Sequence, residues 1–196
     1  MPKAVSYRPS APAWQPLRSL ARHQRPSPAM QDWLQHSGSL TARLIDASEG
    51  QFHVEIVRQF IGVPELNERK ALGMKRPSLA LIREVMLCGH NQPWVFARSL
   101  LPLSSLTGGL RHLRKQTTRP LGAFLFSQPQ LTRSAIAVAR ISRDHAYMPD
   151  HLIGDDRLWG RRSVFYLQQK PLLVSEVFLP AFVARLDGKP GSNNLQ

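Results

Sequence analysis

The chain has 196 residues, 42% of them hydrophobic, enough to bury the core of one domain. Twenty-six Lys and Arg against thirteen Asp and Glu give a net charge of +13, which suits an anionic partner: nucleic acid, a membrane surface or a small acidic metabolite. The single cysteine, Cys88, excludes an internal disulfide framework and a cysteine-built zinc cage and fits a reducing, cytoplasmic compartment, while the lack of a run of about 18 apolar residues excludes a spanning helix.

The first 28 residues are Arg-rich, free of acids and punctuated by Pro2, Pro9, Pro12, Pro16, Pro26 and Pro28, and read as a flexible, solvated basic arm. MQDWLQHSGSLTARLIDAS then predicts two short helices joined at Ser37-Gly38-Ser39. QFHVEIVRQF alternates as a half-buried strand. SLALIREVMLC and PWVFARSLLP are two further strands, expected to pair antiparallel across a four-residue loop, Gly89-His90-Asn91-Gln92. Residues 104–126 switch to helical spacing, broken at Gly108-Gly109 and Arg119-Pro120 and carrying an apolar patch at Leu121, Phe124 and Leu125. LTRSAIAVARIS returns to strand character, a polar loop follows at 143–156, and RRSVFYLQ and PLLVSEVFL form a second hairpin about Gln169-Lys170. The sum is an α+β single domain over 29–185, with a roughly six-stranded antiparallel sheet and helices inserted at two places. Residues 186–196 are polar, with Gly and Asn, and are expected to be disordered.

Two features carry chemistry. Arg83 shares a strand face with Leu79, Leu81, Val85 and Leu87, and a hairpin that pairs Cys88 with Pro93 sets Arg83 opposite Arg98. An anion between the two guanidiniums would remove that conflict; an arginine that snorkels to solvent or pairs with Glu84 or Glu55 would do so too. Glu176 stands in the apolar run PLLVSEVFLPAF, across from Ser163 and two positions from Arg161. It is either a carboxyl tuned by burial and arginines for proton transfer or for gripping a hydroxyl, or half of an ion pair with Arg161 or Arg162.

Other signals are weaker. His145, His151, Asp144, Asp150, Asp155 and Asp156 gather in one loop without ligand-pair spacing, so no metal site is expected there. The phosphate-loop, dinucleotide and nucleophile-elbow motifs do not occur. The tryptophans at 14, 33, 94 and 159 are not interleaved with basic residues as a stacking platform.

IREVMLC, PWVFARSLLPLSSLTG, PLGAFLF, LTR, LWGRRS and KPLLVSEVFLPA, in this order over residues 32–181, resemble the bacterial chorismate pyruvate-lyase family. The resemblance implies a six-stranded antiparallel sheet whose buried pocket is closed by two helical flaps. It also implies a reaction: chorismate loses its enolpyruvyl ether as pyruvate and the ring aromatises to 4-hydroxybenzoate, the first committed step towards ubiquinone, without metal or organic cofactor. Carried over residue by residue, the family's ligand-binding arginine falls on Arg83, facing the ring carboxylate. Its second strand arginine falls on Arg98, on the enolpyruvyl side, and its glutamate falls on Glu176, near the ring hydroxyl. The flap contacts fall on Leu121 and on Leu40, where methionine is commonly seen. The implied partners are chorismate and 4-hydroxybenzoate, with no nucleic acid and no stable membrane insertion, and the implied state is a monomer inhibited by its product.

Two other classes compete. One is a non-catalytic sensor of small aromatic acids, of the UTRA type found in bacterial transcription regulators, although only about 28 residues precede the core. The other is a basic nucleic-acid-binding module, which steep salt dependence of DNA binding would reveal.

Overall fold

A computed structural model describes residues 11–115, 120–145, 147–152 and 157–188. The expected helical hairpin is present as α1 (Pro28–Gln35) and α2 (Leu40–Ala47). α1 starts where Ser27 accepts a hydrogen bond from the Met30 amide, with Pro28 in the first helical turn, and α2 starts where Ser39 accepts from the Ala42 amide at 3.2 Å. α1 buries Met30, Trp33 and Leu34, and α2 buries Leu40 and Leu44.

The remaining elements follow as β1 (Phe52–Gly62), α3 (Leu66–Ala71), β2 (Ala80–Gly89), β3 (Gln92–Pro102), α4 (Leu121–Phe126), β4 (Thr132–Arg133), β5 (Ala137–Ile141), β6 (Leu158–Leu167), β7 (Lys170–Phe178) and α5 (Pro180–Leu186). They form a seven-stranded antiparallel sheet in the order β1-β2-β3-β7-β6-β4, with β5 also on β6. One strand more than expected arises because LTRSAIAVARIS is split. Ser134 leaves the ladder and bonds Val164 through its amide (2.8 Å) and its hydroxyl (2.9 Å), so Thr132–Arg133 and Ala137–Ile141 pair with β6 as separate strands.

Both faces of the sheet are covered, so β2 is buried along its whole length and β3 from Trp94 onward. On one face Val85, Leu87, Val95 and Phe178 pack against Trp33, Leu34, Leu40 and Leu44 of the helical hairpin and against Phe182 of α5. The other face packs Met86, Phe96 and Val177 against Tyr147 and Met148, and Ile82 and Leu100 against Leu72 just past α3.

The first hairpin turns more tightly than the four-residue loop expected, and the second turns one residue earlier than expected. His90-Asn91 and Gln168-Gln169 all have φ between 50° and 61°, the signature of two-residue turns whose twist matches the strands. In the first hairpin Cys88 does pair with Pro93, but Leu87 pairs with Val95, leaving Trp94 as an extra residue on β3. The bulged Trp94 needs a neighbour without a side chain: a Cβ on Gly89 would stand 2.5 Å from its ring. Beyond the bulge the register is moved by one, so Arg83 pairs with Ser99 and Arg98 with Glu84. The Arg83–Arg98 confrontation expected from sequence therefore does not exist, and the two side chains leave opposite faces of the sheet. In the second hairpin the register moves by two, which keeps the face and sets Glu176 opposite Arg161.

From residue 11 the basic arm lies on the domain instead of extending into solvent as expected. Gln15 exchanges both backbone hydrogen bonds with Val138 (3.0 and 2.8 Å), and Leu17 is buried in the core. Its charge and prolines obscure these two anchoring residues. Residues 1–10, and 189–196 of the expected disordered tail, lie outside the described residues. The helical stretch 104–126 resolves into a 3-10 segment, Gly108–Lys115, and α4, with 116–119 outside the described residues. In the loop at 143–156, Tyr147 and Met148 are core residues, and 146 and 153–156 are likewise outside.

Candidate active site

The face carrying Arg83 encloses a cavity of about 40 Å³ between the sheet and a cover made of α2 and α4. The floor is set by register. Ala97 of β3 pairs with Glu176 of β7, which pairs with Arg161 of β6, so a small residue, a carboxylate and a guanidinium lie side by side across three strands. Arg83 and Ser99 form the neighbouring rung, and Arg133 enters from β4. Leu40, the first residue of α2, and Leu121, the first of α4, close the top, and both are buried. The cover is continuous: a Cβ on Gly122 would meet Thr41 Oγ1 at 3.0 Å, so glycine lets the two helices touch.

Three arginines and one glutamate line this space, leaving two net positive charges. Arg161 is 1% exposed and donates Nε to Glu176 Oε2 at 2.7 Å. Its Nη1 donates to the Trp33 and His36 carbonyls at 3.0 and 2.9 Å. These carbonyls belong to the end of α1, where the helix dipole is negative, so the hairpin that roofs the site also neutralises a buried cation below it. Arg133 donates Nε to Ser163 Oγ at 2.9 Å and Nη1 to the Ser37 and His36 carbonyls at 3.0 and 3.4 Å. Burial, and then the charge of Arg161, pull Arg133 down to about 10, still protonated at neutral pH. Burial also lowers Arg83. Burial followed by the charges of Arg43 and Arg161 lowers His36, keeping its imidazole neutral at pH 7.

Of the residues picked out from sequence, Arg83, Glu176, Leu40 and Leu121 line this one cavity. Arg98 does not. On the opposite face it donates Nε to Glu68 at 2.7 Å and Nη2 to the same carboxylate at 3.1 Å, and Nη1 reaches Glu84, which also binds Arg58. Burial disfavours its charge, but the hydrogen bonds and charge of Glu68 more than compensate and raise Arg98 above the ordinary arginine value. Arg98 is thus the centre of a buried ion cluster. Arg98→Ala is expected to cost about 3–5 kcal/mol of stability in urea unfolding, because Glu68 and Glu84 would stay buried without it. It is expected to leave the affinity of any cavity ligand near wild type; a stable variant that no longer binds ligand would return Arg98 to the site.

Arg133 and Arg161 were not assigned a binding role from sequence. For Arg161 a signal existed, since it shares a face with Glu176, and the structure contains the ion pair proposed for it. Arg133 sits on a two-residue strand that offers no periodicity to read. No histidine or cysteine lines the cavity among the described residues, so its lining is not a metal-ligand set. His53, Glu55 and Cys88, whose ligand atoms lie within 4.8 Å of one another, are on the opposite face of the β1–β2 pair. His145 Nδ1 accepts from the Ser142 amide at 3.0 Å; the Asp144 and Asp150 side chains and residues 155 and 156 lie outside the described residues.

A lining with two net positive charges and a carboxylate on the floor is complementary in charge to a small organic dianion. Sequence comparison says which dianion-handling class this is: the chorismate lyase family model matches residues 9–186, and the chain belongs to that family. A probable chorismate pyruvate-lyase of Azoarcus sp. (strain BH72) is 40% identical over 91% of this chain and 96% of its own length. The chorismate pyruvate-lyase of Serratia proteamaculans (strain 568) is 40% identical over 85% and 87%, respectively. Among solved structures, the effector domain of PhnF from Mycobacterium smegmatis aligns with a TM-score of 0.49 at 15% identity, covering 69% of this chain and 86% of that one.

Proposed function

We propose that this cavity converts chorismate to 4-hydroxybenzoate and pyruvate, supplying the aromatic precursor of ubiquinone. The observation that carries the reading is the charge balance of the lining: three guanidiniums and one carboxylate match a substrate with two carboxylates and a ring hydroxyl. Arg83 takes the ring carboxylate. Arg133 and Arg161 take the enolpyruvyl side, the task first expected of Arg98, and Glu176 faces the ring carbon that bears the hydroxyl.

In the reaction the bond between the ring carbon and the ether oxygen breaks, and its electron pair leaves with the oxygen. The hydrogen on the neighbouring, hydroxyl-bearing carbon departs as a proton to Glu176, and the electrons of that C–H bond complete the aromatic ring. The enolpyruvate takes up a proton at its methylene carbon and becomes pyruvate, so atoms and charge balance without water or a redox partner. Aromatisation drives the step, and the arginines stabilise charge gathering on the departing oxygen. Fixing the substrate between opposed cations supplies orientation.

The reading includes independence of metals and organic cofactors, supported by the proton acceptor and cations already present in the lining. It also includes a cytoplasmic setting, with which the lone buried thiol of Cys88 is compatible, and action as a monomer, since one chain's own helices close the cavity. Among the described residues no helix is long and apolar enough to cross a membrane. Incubation with chorismate in excess EDTA is expected to give pyruvate and 4-hydroxybenzoate in equal amounts. Binding of both compounds without turnover would instead favour the sensor reading.

A further inference from the structure

We propose that Arg133 is a latch that ties the helical cover to the sheet and sets the rate at which product leaves. The inference rests on the reading of the cavity as the 4-hydroxybenzoate site. About 40 Å³ is far below the roughly 300 Å³ of an ordinary ligand pocket, so a ring cannot enter or leave unless the cover moves. α2 and α4 touch where Gly122 meets Thr41, so an opening of one helix disturbs its contact with the other. Among the described residues, the side chains of Arg161 and Arg133 hold the cover's turn, Ser37 and its neighbours, to the sheet.

Their roles differ. Arg161 is committed to Glu176 on the floor. Arg133 donates to neutral oxygens on both sides of the gap: Ser163 Oγ below, and the His36 and Ser37 carbonyls above. Its guanidinium carbon lies 5.0 Å from the Phe165 ring centroid, a cation–π contact that adds to these bonds. These bonds occupy Nε and Nη1, so Nη2 remains as a donor for the enolpyruvyl carboxylate of bound chorismate. Substrate therefore meets the same fork that fastens the cover, while product, which lacks that carboxylate, is retained by the fastened cover itself. Arg133 is a positioning residue in this role: its planar geometry matters as well as its charge.

Lysine keeps the charge but cannot donate in two fixed directions. Arg133→Lys is expected to raise the dissociation rate of 4-hydroxybenzoate, followed by stopped-flow displacement, at least about 10-fold. Amide hydrogen exchange across 36–44 is expected to quicken in the ligand-free protein as well. Ser163→Ala, which removes only the lower anchor, is expected to move both quantities the same way, by roughly 3-fold. If Arg133→Lys does not fold, the serine variant alone decides. Release and exchange rates within 2-fold of wild type in the folded variants would overturn the latch. A wild-type protein that makes no product from chorismate would overturn the proposed reaction, while exchange at 36–44 would still test the latch; an unchanged exchange rate with turnover intact removes only the latch.

Discussion

Glu176→Gln is expected to reduce turnover of chorismate by at least about 100-fold while leaving the fold and product binding in place. The argument starts from the rung Ala97, Glu176, Arg161: the carboxylate lies on the cavity floor, 15% exposed, with one oxygen 2.7 Å from Arg161 Nε. A glutamine amide oxygen can accept that same hydrogen bond, and Arg161 retains the Trp33 and His36 carbonyls, so the substitution removes charge and basicity without emptying the site. On the proposed reaction, what is lost is the group that takes the ring proton. Steady-state kinetics together with a binding isotherm for 4-hydroxybenzoate separate the two effects. A near-wild-type rate would mean that Glu176 only orients the hydroxyl, a task glutamine can also perform.

Arg83→Ala is expected to weaken 4-hydroxybenzoate by about 2–5 kcal/mol, on the order of 30- to several-thousand-fold, the usual cost when a buried charge pair loses one partner. Arg83 is 4% exposed, and burial alone lowers its affinity for the proton, so its charge is held in a place where solvent does little to screen it. A carboxylate that reaches it therefore gains more than at the surface. Calorimetry, and the thermal shift caused by product, would report the loss. The comparison with Arg98→Ala is instructive because the two arginines sit on paired strands one position out of register. One substitution should cost affinity and the other stability. Unchanged product affinity in Arg83→Ala would mean that the ligand lies elsewhere.

What could be read in advance depended on which physical rule was being used. Period-2 alternation found β1, short apolar runs found most other strands, and the serine after Gly38 found the start of α2, because these signals are local; the start of α1 at Ser27–Pro28 was hidden in the proline-rich arm. The face of Glu176 was legible because an error of two residues in hairpin register returns a side chain to the same face. Arg98 was misplaced because an error of one does not, and that one residue is the bulged Trp94, whose accommodation depends on Gly89 and on packing against Phe182 of α5. Nothing local in PWVFARS announces a bulge. Arg133 and the α1 carbonyls escaped for a related reason: backbone acceptors leave no trace in a list of side chains, and the contacts join residues almost a hundred positions apart. The helices α3 and α5 also went unread, each short, although Glu65 and Glu68 form a capping box in α3 and Pro180 opens α5.

The most direct test of the account is a crystal structure of Glu176→Gln soaked with chorismate. It is expected to show the intact substrate between the sheet and α2–α4, with its ring carboxylate on Arg83, its enolpyruvyl carboxylate towards Arg133 and Arg161, and its hydroxyl-bearing carbon facing residue 176. Substrate on the opposite face beside Arg98, or a cavity that stays closed and excludes chorismate, would contradict it.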